Sequence, residues 1–235
     1  MFGRIAGRYD LMNALMTGGL DRVWRRRAAA AAALPRGGFA LDVGTGTGDL
    51  AFDLVRSAPG VQAIGVDYTA PMLGLAPGKA RRLGLALQTS WVRGDGQALP
   101  FPDATFDAVA SAFVLRNFAD LGRALAEMAR VVRPGGRVVG LEISPTGSRA
   151  WQALFSLYFQ NVVPIVGAIV TGDPTAYRYL PASVAAFPTP ERIGELMATA
   201  GLEPLPPQRL MRGSLVIHAG VRAASSGSRP ENARA

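Results

Sequence analysis

The stretch Leu41-Asp42-Val43-Gly44-Thr45-Gly46-Thr47-Gly48-Asp49-Leu50-Ala51 decides how the rest of the chain is read. It closes a short apolar run, Phe39–Val43, of the kind found in strands buried on both faces. Three alternating glycines follow, and from Asp49 the apolar residues Leu50 and Leu54 resume at helical spacing. Strand, glycine turn and helix in immediate succession open a βαβ unit. Glycine lets the backbone turn sharply and lie close to a ligand.

Working outward, four more apolar runs read as strands: Val61–Val66 ending at Asp67, Leu87–Val92 before Gly94-Asp95-Gly96, Phe106–Phe113, and Arg137–Ile143. Helical spacing separates them. Residues 9–33 read as one helix, 70–83 as a helix disturbed at Pro77-Gly78, and Leu121, Leu125, Met128 and Val132 as an apolar stripe stopped by Pro134-Gly135-Gly136. Thr189-Pro190 starts a last helix with the stripe Ile193, Leu196, Met197 and Ala200, closed by Gly201. Pro207–Met211 and Ser214–Val221 form a closing hairpin around Arg212-Gly213. The alternation predicts an α/β, Rossmann-like fold with right-handed crossovers, a mostly parallel seven-stranded sheet and a C-terminal antiparallel hairpin. Ligands in such sheets bind beyond the carboxyl ends of the strands, which selects the loops 44–49, 67–72, 94–99, 112–118 and 142–150.

The 235 residues are 49% hydrophobic and 18% charged, enough for a sizeable core and incompatible with a disordered chain. We expect one domain over residues 1–222 and a polar, aperiodic tail over 223–235. With no Cys and one His, the composition excludes disulfides, a cysteine nucleophile and a thiolate metal site, and no metal is expected. The net charge is +8, and all but one of the 25 basic residues are Arg; Lys79 is the exception. Such a balance favours an anionic contact: membrane surface, nucleic acid or an acidic metabolite. Arg22, Arg25, Arg26 and Arg27 surround Trp24, the profile of an interfacial helix or of a solvated face. Residues 11–20 do not read as a secretory signal, because Asn13, Thr17 and two glycines interrupt them. Ala150 to Gly172 lacks charge but contains Pro164, so it reads as two short apolar helices or a kinked one.

The glycines run G-x-G-x-G, and Asp49 stands where a dinucleotide's pyrophosphate needs a free helix N-terminus. S-adenosyl-L-methionine has no phosphate and carries an ammonium and a sulfonium, which acids near the loop suit. Asp67, nineteen residues after Gly48, stands at the offset of a ribose-binding acid, and Asp95 is a second acid at the next strand end. Asp42, Asp67 and Asp95 on three consecutive strands, with the glycine loop, are more specific than any one of them; each alone reads as a loop acid capping an amide.

The order of these motifs resembles the class I S-adenosylmethionine-dependent methyltransferases. More narrowly, the chain resembles the ubiquinone/menaquinone biosynthesis C-methyltransferases (UbiE/MenG type) over about residues 2–221. The resemblance is carried by FGRIAGRYDLMN (2–13), DRVWRRRA (21–28), LDVGTGTGDLA (41–51), GDGQALPFPDATFDAV (94–109), FVLRNF (113–118), VVRPGGRVVGLE (131–142), TGDPTAYRYLPASVAAFP (171–188) and GSLVIHAG (213–220). It implies donor contacts at Tyr9, Asp42, Gly44, Gly46, Thr47, Gly48, Asp67, Asp95 and Gly96, and at Ala112, where relatives often carry Ser or Gly. It implies an N-terminal helical lid over residues 1–36, placing Tyr9 and Asp10 near the methionine moiety, and a helical substrate cap over 144–188. The implied reaction is methyl transfer to a ring carbon of a polyprenylated hydroquinone, demethylmenaquinol to menaquinol, or the benzoquinol step of ubiquinone biosynthesis. Arg116 would stabilise the developing phenolate and Asn117 would position the ring; the other reading of Arg116 is an ion pair to Glu142. The implied setting is cytoplasmic, peripheral at the inner face of the cell membrane. A homodimer is allowed, and nucleic acid is not an expected partner.

Four other readings stay open at this stage: an RNA or protein methyltransferase, marked by steeply salt-dependent RNA binding; another small-molecule methyltransferase; a nicotinamide-dependent reductase, disfavoured by Asp49; and a scaffold that binds the donor without catalysis. His218, in an apolar strand, reads as a structural histidine away from the strand-end loops.

Overall fold

A computed structural model describes residues 6–144, 157–158, 161 and 182–223. Chain order places α1 (Tyr9–Thr17) and α2 (Leu20–Ala31) ahead of β1 (Phe39–Val43), α3 (Asp49–Ser57) and β2 (Gln62–Asp67). Next come α4 (Ala70–Leu73), α5 (Ala76–Arg82), β3 (Thr89–Arg93), β4 (Phe106–Ala112), α6 (Leu121–Val131) and β5 (Val132–Ile143). The last described elements are α7 (Pro190–Thr199), β6 (Leu202–Pro204), β7 (Gln208–Leu210) and β8 (Leu215–Arg222).

The sheet has the order β3-β2-β1-β4-β5-β8-β6, with β7 also paired to β8. The strands from β3 to β5 run parallel, and β8 joins β5 antiparallel, His218 opposite Gly140. Eight strands therefore replace the seven expected. The additional one, β6, pairs with Gly220–Arg222 while β7 pairs with Leu215–Ile217, so both lie along the same edge of β8. They form a single row interrupted at Pro206-Pro207, where two prolines cannot donate to the ladder.

Apolar side chains fill both faces of the sheet. Ala28 and Ala29 of α2 and Leu50 and Leu54 of α3 pack with Val139, Leu141 and Ile217. Leu125 and Met128 of α6 and Ile193 and Met197 of α7 pack with Leu41, Val109 and Val138. These side chains are almost wholly buried, so truncating one such as Leu125 to Ala should cost about 2–5 kcal/mol.

Two helix boundaries differ from the sequence reading. The single helix expected over 9–33 is two helices, because Gly18 and Gly19 take φ of 59° and 78° between them. The disturbance expected at Pro77-Gly78 lies earlier, at Gly74-Leu75; Pro77 sits in the first turn of α5, where its missing N–H costs nothing. Most of the expected substrate cap, the uncharged run 150–172 and the tail lie outside the described residues. Among the described residues no helix is long and apolar enough to cross a membrane.

Strand order turns outward in both directions between β1 and β4, where Asp42 is in register with Ala110. That switch point opens a crevice at the carboxyl ends of the strands.

Candidate functional site

The crevice holds a cavity of about 390 Å³. Gly44 and Gly46 line it from the loop after β1, Asp67 and Thr69 after β2, Asp95 and Gly96 after β3, and Phe113, Val114, Asn117 and Phe118 after β4. A smaller hollow of about 40 Å³ lies beside it, sharing Gly44, Gly46, Phe113 and Val114 and lined further by Arg25, Asp42, Thr47, Asp49 and Ala112.

The glycine loop takes its shape from its residue types. Gly44 has φ of 71°, and a Cβ there would lie 2.5 Å from Val114 Cγ1. Gly96 is held bare in the same way, since a Cβ would meet the Phe118 ring at 2.7 Å. Both lie against the cavity, so a bound ligand can approach bare backbone on two sides. Gly48 lines neither hollow. A Cβ there would strike Trp91 at 2.5 Å, so a bare backbone at this position lets the loop pack on the sheet.

The three strand-end carboxylates divide. Asp67 is half-buried and uses one oxygen on each of two amides, accepting from Gly46 N at 2.8 Å and Thr69 N at 2.7 Å. Each oxygen keeps a lone pair for a hydroxyl in the cavity. Asp95 is exposed and accepts from Gln97 N at 2.9 Å, which leaves its second oxygen uncommitted among the described residues. Asp42 is withdrawn beneath the loop. Its Oδ2 accepts from Thr45 Oγ1 at 2.6 Å and Ala51 N at 3.0 Å, bracing the turn and the first turn of α3. Burial pushes the Asp42 carboxyl up to about 7, aided by the charge of Asp67 and opposed by those two hydrogen bonds. Asp67 and Asp95 thus face the larger cavity, while Asp42 braces the loop and borders the inner hollow.

Asp49, at the first turn of α3, is tied into a cluster of charges. Its Oδ1 lies 2.6 Å from Lys79 Nζ, and its Oδ2 lies 3.6 Å from Arg25, which also holds Asp21 at 2.7 Å. Lys79 pairs in addition with Asp10 at 2.6 Å, and Thr47 Oγ1 donates to Asp10 at 2.7 Å. Nothing in residue spacing revealed this cluster. Its one signal was compositional, a single lysine among arginines.

Beyond β4, the residues Leu115–Asn117 form a short 3-10 turn. The Arg116 guanidinium pairs through Nη1 with Glu142, which is fully buried and also accepts from Ile143 N at 2.9 Å. The ion pair to Glu142 is thus present. Arg116 Nε and Asn117 Oδ1 are buried without a hydrogen-bond partner among the described residues. Buried polar atoms are seldom left so; Asn117 lines the cavity, and Arg116 is its neighbour in the same turn, lining neither hollow. Tyr9 opens α1, and Ala112 ends β4 at the inner hollow. The cradle of bare glycine backbone and the spare acceptor valence of Asp67 and Asp95 fit a nucleoside without phosphate.

His218 lies apart, at a second cavity of about 260 Å³ lined by Pro190, Glu191, Met197, Pro204, Arg209 and others. Burial pushes its imidazole down to about 4, so it is neutral near pH 7. Its place in β8, opposite Gly140, is that of a structural side chain.

Known proteins resemble this chain along most of its length. The ubiE/COQ5 methyltransferase family matches residues 1–222. The chain is 50% identical over 201 residues to a demethylmenaquinone methyltransferase of Deinococcus radiodurans, covering 86% of this chain and 83% of that one. It is 46% identical over 222 residues to a demethylmenaquinone methyltransferase of Thermus thermophilus, covering 94% of this chain and all (100%) of that one. Among solved structures the cyclase SpnF superposes with a TM-score of 0.67 at 21% identity, over 88% of this chain and 83% of that one, which shows the fold alone. Sequence likeness along nearly the whole length thus decides what fold likeness leaves open: the chain belongs to the ubiE/COQ5 methyltransferase family.

Proposed function

We propose that the protein is an S-adenosyl-L-methionine-dependent C-methyltransferase that converts demethylmenaquinol to menaquinol. The observation that carries the donor assignment is the switch-point cavity, with Asp67 and Asp95 offering acceptors beside glycine backbone. The family match, and two relatives named demethylmenaquinone methyltransferase at 50% and 46% identity, support the acceptor. The donor, when bound, supplies a methyl group on a sulfonium. Asp67 would accept the ribose hydroxyls and Asp95 would hold the adenine end, with Gly44, Gly46 and Gly96 allowing close approach. Thr47, Ala112 and the backbone at Tyr9 would enclose the methionine end at the inner hollow.

The acceptor's ring carbon would become nucleophilic as its neighbouring phenol gives its proton to solvent; once that carbon carries the methyl group, loss of its ring hydrogen as a proton restores the aromatic phenolate, which solvent reprotonates. Arg116 would stabilise the developing phenolate from its Nε–H, which has no partner among the described residues. Asn117 orients the ring from the cavity wall. In-line placement of the two reactants supplies much of the acceleration.

A greasy acceptor calls for a membrane contact, and α1 and α2 support one. Leu11, Leu15, Leu20 and Val23 are all exposed there, beside exposed Arg22, Arg26 and Arg27. This face differs from the sequence reading: Arg25 is buried and Trp24 packs on the core, so the leucines replace the tryptophan as apolar anchors.

The test is methyl transfer from isotope-labelled donor to reduced demethylmenaquinone in detergent, followed by mass spectrometry of the quinone. A labelled ring methyl is expected. Recovery of unlabelled quinone with label on RNA or protein would overturn the acceptor assignment.

A further inference from the structure

Lys79 is the chain's only lysine, and all three of its ammonium protons have acceptors. Asp10 Oδ2 and Asp49 Oδ1 each lie at 2.6 Å and Thr47 Oγ1 at 3.3 Å, while the ammonium sits 6.0 Å over the Phe52 ring. These partners come from separate elements. Asp10 belongs to α1, Thr47 to the glycine loop, Asp49 and Phe52 to α3, and Lys79 itself to α5. Asp49 extends the chain of charges to Arg25 of α2, whose guanidinium lies 5.9 Å from the Phe113 ring at the wall of both hollows. A single exposed ion pair contributes little, but here five charged groups from four helices are linked, and two of them, Arg25 and Asp49, line the inner hollow.

We infer that Lys79 is a positioning residue for the donor: it clamps the N-terminal helices onto the glycine loop and orients the Thr47 hydroxyl at the inner hollow. This rests on the donor site proposed above. The Lys79 ammonium touches no ligand-facing cavity wall itself; it acts through Thr47 and Asp49, which line the hollow. Without it, Asp10 and Asp49 would face one another as like charges across the loop, and α1 would be released. The clamp is electrostatic and part-exposed, so it opens more readily at high salt.

The lone lysine makes the test specific. Acetylation with an N-hydroxysuccinimide ester, followed peptide by peptide in mass spectrometry, reads Lys79 separately from the amino terminus. In ligand-free protein, Asp10→Asn should raise the Lys79 labelling rate about tenfold, because one of its two carboxylates no longer holds it. S-adenosylhomocysteine should slow labelling about tenfold in the native chain and much less in Asp10→Asn. Lys79→Met should weaken binding of S-adenosylhomocysteine about tenfold, mainly through faster dissociation, with the single-turnover rate at saturating donor nearly unchanged and Lys79→Arg recovering most of the affinity. Equal labelling in native and Asp10→Asn proteins overturns the clamp. Ligand binding seen by calorimetry without protection of Lys79 overturns its positioning role. Absence of any binding heat instead removes the donor site, and the positioning role with it; ligand-free labelling, read independently, tells these failures apart.

Discussion

Two of the cavities among the described residues differ in what lines them: the first has acids and apolar side chains, the second an acid, an arginine, a histidine and apolar walls. The first lies at the switch point and leaves acceptors uncommitted: Asp67 and Asp95 each retain capacity after their amide bonds. The second, beside β8, spends its charges internally and leaves one neutral atom, His218 Nε2, buried without a partner among the described residues. Arg209 pairs with Glu191 at 2.8 Å across its mouth, and His218 is held neutral. A hollow with an unusual titratable group is therefore weak evidence of a site. Unspent hydrogen-bonding capacity at the carboxyl ends of parallel strands is stronger evidence, because the fold directs backbone and loops there.

The contrast can be broken most forcefully at Arg116. Arg116→Lys keeps a cation for buried Glu142 but removes the Nε–H, and turnover should fall about 10²–10³-fold with donor affinity unchanged. Steady-state kinetics beside calorimetry check this; equal losses in both would make Arg116 structural. Asp67→Ala should do the reverse, weakening donor binding by about tenfold to a hundredfold, as expected for two lost hydroxyl contacts, with a smaller change in the saturated rate. An unchanged dissociation constant would remove its ribose role.

Asp42 sharpens the comparison through pH. Its carboxyl is pushed up to about 7 and it lines the inner hollow, so a donor cation would favour its ionised form. Donor affinity should then rise with pH through about 7 and level off above it, and Asp42→Asn should flatten that rise to within about threefold. Titrations across this range decide the point. The smallest functional effect belongs to the second cavity: His218→Gln should leave donor affinity and turnover within about twofold. Its consequence is for stability. The imidazole is pushed from 6.5 to about 4, so the native state resists protonation that the unfolded chain accepts. Stability present above about 6.5 should be lost as pH falls toward 4, by on the order of 3 kcal/mol, and denaturant titrations of the variant should show a shallower loss.

Much of this was legible in residue order. Buried parallel strands announce themselves as apolar runs, and the turn at 44–48 needs glycine for its positive φ at Gly44, Gly46 and Gly48. Asp67 and Asp95 were placed by their position after strands. Three-dimensional bookkeeping was not legible. Asp42, Asp67 and Asp49 look alike in sequence, yet one braces the loop, one faces the cavity and one is neutralised by Lys79 and Arg25 from distant segments. Likewise Trp24 and Arg25 lie within an exposed-looking basic run, but α2 turns both toward the protein and leaves Leu20 and Val23 outside. Periodicity finds an amphipathic helix; it does not show which neighbour will take up each charge.

The central claim is that the switch-point cavity holds the donor nucleoside. A crystal structure of the complex with S-adenosylhomocysteine tests it most directly. The account predicts ribose hydroxyls on the Asp67 carboxylate, with the base between Asp95-Gly96 and Asn117-Phe118. A nucleoside seated at the His218 cavity, or bound with Asp67 untouched, would contradict it.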